Sequence, residues 1–128
     1  MNVLVDTHAV LWWLAGDKQL SRVARQILEN PANRRIVSVA ALWEIAIKIG
    51  TGKLPVRGLT LSDFSSQLRK QEFILLSIRL EDLLRLEQLP PIHRDPFDRI
   101  LVAQAIEEHI SLLTADPIIA AYPVETIW

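Results

Sequence analysis

Short unbroken apolar runs, each separated from the next by a helix-length segment with its own start and stop signals, constrain this chain more than any other feature. Val3-Leu4-Val5, Arg35-Ile36-Val37, Phe73 to Ile78 and Ile110 to Thr114 read as strands. Unbroken rather than alternating hydrophobicity suits strands buried on both faces. Val124 to Trp128 reads as a final edge strand. Between these runs, Ala9 to Ala15 is a short helix stopped at Gly16, and Ser21 caps a second helix that ends at Asn30-Pro31. Ser38 caps a third over Val39 to Ile49, with Gly50 and Gly52 behind it. A fourth starts from Thr60 or Ser62 and runs to about Glu72, after a loop over 54–61 that holds Pro55 and Gly58. Leu80 to Leu89 is stopped by Pro90 and Pro91, and Asp95-Pro96 opens a last helix to about Glu108. Strands alternating with helices in this way predict an α/β fold: a mostly parallel central sheet covered on both faces.

The apolar stripes agree with that layering. Val23, Ala24, Ile27 and Leu28 share one helix face, as do Leu42, Ile45, Ala46 and Ile49. The first helix, with Trp12 and Trp13, is too apolar for a solvated surface and is expected in the core or in a subunit contact. Asp63 stands at the capping-box position if Thr60 is the cap, and Asp98 stands at the same offset from Asp95.

Composition limits the function classes. The chain of 128 residues is read as a single domain over 1–128, with 50% hydrophobic residues and a mean hydropathy of +0.22 that exclude disorder. No cysteine means no disulfide frame and no thiolate metal site. No apolar stretch of about 18 residues and no basic segment leading into an apolar signal region are present, so a soluble cytoplasmic protein with no membrane partner is expected. With 14 basic and 15 acidic residues the formal charge is −1, which provides no general footprint for a phosphate backbone. Nucleic acid would have to meet local patches such as Arg34 with Arg35, Arg69 with Lys70, or Arg94 with Arg99.

The acids carry the chemistry. Asp6 and Asp116 each follow an apolar strand directly, so a parallel sheet brings both out at one edge, where open α/β sheets bind their ligands. Asp98, in the first turn of the last helix, begins near that edge, and Glu44 joins if its helix turns a polar face inward. Each has an ordinary alternative: Asp6 and Asp95 as helix caps, and Glu44 as the partner of Lys48 four residues on. Converging carboxylates repel one another unless cations hold them. An oxygen-only donor set suits Mg²⁺, with Mn²⁺ as a substitute, rather than structural zinc.

Four blocks resemble the PIN-domain ribonucleases, and most closely the VapC-like toxins of bacterial toxin–antitoxin pairs: Val5-Asp6-Thr7-His8, Ser38 to Lys48 around Leu42-Trp43-Glu44, Asp95-Pro96-Phe97-Asp98-Arg99 through Ala105, and Leu113-Thr114-Ala115-Asp116. The resemblance covers nearly the whole chain, with the blocks in the expected order. It implies a PIN-like three-layer α/β/α sandwich with strand order 3-2-1-4-5. It implies metal-dependent endonucleolytic cleavage of RNA by a metal-activated water, with Asp6, Glu44, Asp98 and Asp116 as the acidic quartet. Asp95 is an extra acid that ligates or only caps; Thr7 and Thr114 support the site, and His93, Arg94 and Arg99 are candidates for substrate contact. A homodimer and a small antitoxin whose tail enters the groove are the implied partners, with the aromatic and leucine-rich early helices as surfaces for both.

Rival chemistries fit less well. An aspartyl-nucleophile phosphotransferase commonly wants a second Asp two residues after the first, and His8 stands there. No glycine-rich loop follows the first strand, which removes a nucleotide-binding module. A catalytically weak or inactive PIN-fold RNA- or protein-binding module is the alternative, and a DNA-directed nuclease is compatible with the same acids.

Overall fold

The computed structural model describes residues 1–54 and 58–128. Pro55, expected in the loop over 54–61, lies outside the described residues. Five parallel strands form one sheet: β1 (Asn2–Val5), β2 (Arg34–Ser38), β3 (Ile74–Leu76), β4 (Ser111–Leu113) and β5 (Thr126–Ile127), in the order β3-β2-β1-β4-β5. Among the described residues six α-helices cover it: α1 (Thr7–Ala15), α2 (Arg22–Glu29), α3 (Val39–Gly50), α4 (Leu61–Lys70), α5 (Leu80–Gln88) and α6 (Pro96–Glu108), with a short 3₁₀ turn over Ile119–Ala121. The architecture is the α/β/α sandwich with the expected strand order. No helix among the described residues is long and apolar enough to cross a membrane.

The pleat of β1 divides the core. Val3 and Val5 face one apolar cluster with Ala9, Val10, Ala24, Leu28, Ile45, Phe64 and Leu68. Leu4 points the other way, into a cluster with Ile100, Leu101, Leu112, Ile119 and Tyr122. All three β1 residues are fully buried, which is why the run is unbroken rather than alternating. The register pairs Leu4 with Ile36 on one side and with Leu112 on the other, so β1 is the central strand, with β2 and β3 added on one side of it and β4 and β5 on the other. Val5 pairs with Leu113, so the residues after both strands leave the sheet at the same edge.

Caps fix where the helices start. Asp6 accepts from Ala9 N at 2.8 Å, Ser21 Oγ from Ala24 N at 3.0 Å, and Ser38 Oγ from Ala40 N at 3.0 Å. Thr60, not Ser62, caps α4, and Asp63 answers it in a reciprocal capping box. Gly16 closes α1 at φ +64°, a left-handed position that favours glycine. Some elements differ from expectation at their margins. β3 and β5 are shorter than the apolar runs, since each has one neighbour and edge pairing ends early. Val23 is exposed, because α2 needs only Ala24 and Leu28 on its buried face.

Two arginines tie segments together. Arg35 donates to Leu28 O at 3.1 Å and to Gln71 O, and lies 4.7 Å over the Phe73 ring. Arg99 reaches from α6 to the end of α5, donating to Pro90 O at 3.0 Å and to the Tyr122 hydroxyl oxygen at 3.1 Å, with Leu86 O and Leu89 O at 3.5 Å. Carbonyls at a helix C-terminus favour a cation. Arg99→Ala is therefore expected to lower stability by about 1–2 kcal/mol in urea unfolding, the worth of charge-assisted hydrogen bonds at a partly exposed site. An unchanged midpoint would show that these carbonyls are satisfied without it.

Candidate metal centre

The sheet edge beyond β1 and β4 collects the acids. Asp6 is the first residue after β1; its backbone N–H donates to Leu113 O at 3.1 Å, holding it beside β4. Its carboxylate is 5% exposed and serves as the N-cap of α1, so the capping role and a place at the sheet edge coexist. Asp116 leaves β4 through a turn in which its N–H donates to Thr114 Oγ at 3.1 Å and its Oδ1 accepts from Ile118 N at 2.9 Å. That leaves Oδ2 facing inward. Thr114 is buried, and its hydroxyl also supports the Asp6 carboxylate.

The segment before α6 supplies the rest. Asp95 Oδ1 accepts from Phe97 N at 2.8 Å and Asp98 N at 3.3 Å, so Asp95 caps the helix. The expected capping box is not closed: Asp95 N donates to His93 Nδ1 at 3.0 Å instead of to Asp98. Asp98 turns toward His93, whose Nε2 lies 3.2 Å from Asp98 Oδ2 and 2.7 Å from Asp116 Oδ2. His93, Asp98 and Asp116 thus offer ligand atoms all within 4.8 Å of one another. That grouping does not include Asp6, Glu44 or Asp95. Glu44 is 5% exposed on the inner side of α3; one oxygen pairs with Lys48 Nζ at 3.0 Å and the other, Oε1, is buried without a partner. Thr7 Oγ is buried and unpartnered as well. Arg94 lies in a groove beside Glu44 and Asp95, and Arg99 is engaged at the end of α5.

Crowded negative charge leaves its mark on acidity. Burial pushes the Asp98 carboxyl up to about 7, with Asp95, Glu44 and Asp6 adding repulsion and His93 working against them. Burial raises Asp6 too, against help from Thr114, Ala9 N–H and His8, while Asp116 adds to the rise. The acids therefore sense one another across three elements. Two buried oxygens without partners, a carboxylate that holds its proton to neutrality and an oxygen-rich donor set all fit a hard divalent cation.

His93 needs separate treatment, because its ring has one orientation of protons compatible with its neighbours. The Asp95 N–H points at Nδ1, which must accept; the proton of a neutral ring then sits on Nε2 and is directed at the two carboxylates. His93 is held in place by its own backbone N–H, which donates to the Tyr122 hydroxyl oxygen at 2.7 Å. Arg99 donates to that same oxygen. Tyr122 is thus a supporting residue that sequence reading missed: nothing near it in the chain marks it, and only the fold brings it to the loop over 90–95.

Comparison with known proteins gives the family. The PIN domain family matches residues 3–125. The chain belongs to the PIN-domain family. The solved VapBC2 of Rickettsia felis, bound to a DNA fragment from its promoter, is similar in fold at a TM-score of 0.75 and 14% identity, covering 100% of this chain and 99% of that one. A toxin–antitoxin complex from Klebsiella pneumoniae is similar at a TM-score of 0.64 and 19% identity, covering 98% and 96%. No curated protein matches this PIN domain.

Two outcomes follow for the metal-free protein. Asp98 takes its proton at about 7 when folded and at 3.8 when unfolded, so its contribution to stability is fully present below 3.8 and is lost as pH rises through 7. Asp98→Asn should flatten that slope and leave the chelator-treated protein about 1–3 kcal/mol more stable than wild type at pH 8 in urea unfolding. A variant less stable than wild type at pH 8 would contradict the repulsion argument. ¹⁵N-resolved histidine spectra in chelator should show His93 as the Nε2–H tautomer; a protonated Nδ1 would contradict the hydrogen-bond assignment.

Proposed function

We propose that this PIN domain is a metal-dependent endoribonuclease acting as the toxin of a toxin–antitoxin pair, hydrolysing RNA phosphodiester bonds with a metal-activated water. The observation that carries the reading is the crowding of carboxylates near the switch point between β1 and β4: His93, Asp98 and Asp116 offer ligand atoms within 4.8 Å of one another, and the charges of Glu44 and Asp6 add to the rise at Asp98. Family membership and the fold shared with toxin–antitoxin structures support it. Asp6, Asp98, Glu44 and Asp116 would hold Mg²⁺, or Mn²⁺ in its place, with Asp95 beside them. When bound, such an ion supplies positive charge against the phosphodiester oxygens and makes water a competent nucleophile at neutral pH.

The chain's own groups have defined tasks in this reading. The Asp6 oxygen that caps α1 is tied to Ala9 N–H, which leaves its second oxygen for the cation. Thr114 fixes the turn that aims Asp116, and Thr7 contributes a hydroxyl in the same buried layer. His93 donates from Nε2 to Asp116 and Asp98, a position from which it orients ligands rather than competes with them. In this reading Arg94, which lines the groove beside Glu44 and Asp95, would contact substrate phosphate, whereas the guanidinium of Arg99 acts through Tyr122 on the His93 loop.

The partner reading is also ours: a small antitoxin, a homodimer and a cytoplasmic setting. Leu11, Trp12, Trp13 and Leu14 of α1 are half-buried, with Trp13 Nε1 donating to Gln71 Oε1 at 2.7 Å, and α5 exposes Leu80, Leu83 and Leu84. Exposed apolar groups of this kind support association with other chains. The deciding experiment is RNA cleavage by purified, partner-free protein with Mg²⁺, with Mn²⁺ and with chelator. Cleavage that needs the metal and falls by about a hundredfold or more in Asp6→Asn is the expected result. Metal binding without cleavage of any structured or unstructured RNA would replace the nuclease with a PIN-fold binding module.

A further inference from the structure

Two clefts flank the lysines at the end of α3. One, of about 510 Å³, runs from Glu44 past Ile47, Lys48, Thr51 and Lys53 and is closed on its far side by Arg94, Asp95 and Phe97. The other, of about 350 Å³, shares Lys48 and Lys53 and holds His8 and Trp12 on its opposite wall. The two lysines are locked together at the backbone, where Lys53 N donates to Lys48 O at 2.9 Å. A basic ridge thus separates two aromatic-bearing clefts, and its first cleft opens onto the carboxylate cluster at Glu44.

The charges on this ridge are not equally committed. Lys48 is paired with Glu44, and Asp95 is occupied in capping α6. Asp17, in the second cleft, accepts from Gln19 N. Neither Lys53 nor Arg94 has an ion-pair partner among the described residues. The rings are presented for contact as well. Trp43 is 59% exposed and packs T-shaped against Phe97 of the first cleft, centroids 5.0 Å apart at 86°. In the other cleft His8 and Trp12 lie 5.8 Å apart.

Unpaired cations that track a backbone, interleaved with open aromatic faces, are the recognition chemistry of single-stranded polynucleotides. A duplex keeps its bases stacked and has no use for such rings. We infer that the Lys48–Lys53 ridge with Arg94 binds the sugar–phosphate backbone of a single strand, with one base stacked on Trp43. The inference rests on the nuclease reading for its direction: the strand leads through the Glu44 cleft into the acidic centre. It also accounts for RNA binding by a chain of net charge −1, since the contacts are local.

The test is fluorescence anisotropy of a labelled single-stranded RNA of about 12 nucleotides, in chelator so that nothing is cut, from about 50 to 200 mM salt. Lys53→Ala/Arg94→Ala should bind more weakly, with a slope of log affinity against log salt shallower by about 1.4, two contacts at about 0.7 each. Trp43→Ala should weaken binding about fivefold or more while leaving the slope unchanged. Both changes are at the surface, and melting curves verify that the variants are folded. A double variant with the wild-type slope overturns the inference and assigns the ridge to an acidic protein segment; duplex RNA binding as tightly as single strand overturns it as well. Metal-dependent cleavage by wild type together with an unchanged slope would sink the ridge and leave the nuclease reading standing. Loss of slope in a protein that cuts no RNA would do the reverse.

Discussion

Negative charge held out of water is the constraint on which the rest of this structure depends. A parallel sheet sends every strand out at the same edge, so acids placed after β1 and β4 emerge together, and the covering helices bury Asp6 and leave Asp116 partly exposed. Carboxylates so placed must be paired, hydrogen-bonded, protonated or bound to a cation. The first three are present. Asp6 takes a helix N-terminal N–H, Glu44 takes Lys48, Asp116 takes a backbone N–H and His93, and Asp98 keeps its proton to about pH 7.

The surrounding framework serves that placement. Leu4 between two buried valines lets β1 carry helices on both faces, which fixes its central position and hence the switch point. The loop over 90–95 has no regular structure of its own. It is held by Tyr122, by Arg99 at the carbonyls that end α5, and by the His93–Asp95 hydrogen bond. Removing Arg99 would therefore be felt at the imidazole that faces the acids.

The near-zero net charge also has a structural meaning. Five basic residues around the core and the acidic cleft are used in three ways: Arg35 and Arg99 tie backbone carbonyls, Lys48 offsets Glu44, and Lys53 and Arg94 line the cleft with no ion-pair partner among the described residues. Of these five, Lys53 and Arg94 are the ones left for a polyanion at the acidic cleft. A local pair of cations next to a cation-binding acid cluster lets substrate approach without a global positive field.

Strand and helix positions and the caps at Asp6, Ser21, Ser38 and Asp95 were all legible in the residues themselves. These rest on local rules: apolar runs for strands, side-chain oxygens at helix starts, and chirality of parallel connections. The shortness of β3 and β5 was not legible, because pairing ends where a neighbour ends and no local signal marks that point. Nor was the use made of each charged group. His93 and Tyr122 stand 29 residues apart, and His93 and Asp116 stand 23 apart. The sequence by itself determined which side chains could reach the functional edge of the sheet. Only the tertiary structure decided which of them meet, because hydrogen-bond partners across so long a separation are set by packing of whole elements and not by neighbours along the chain.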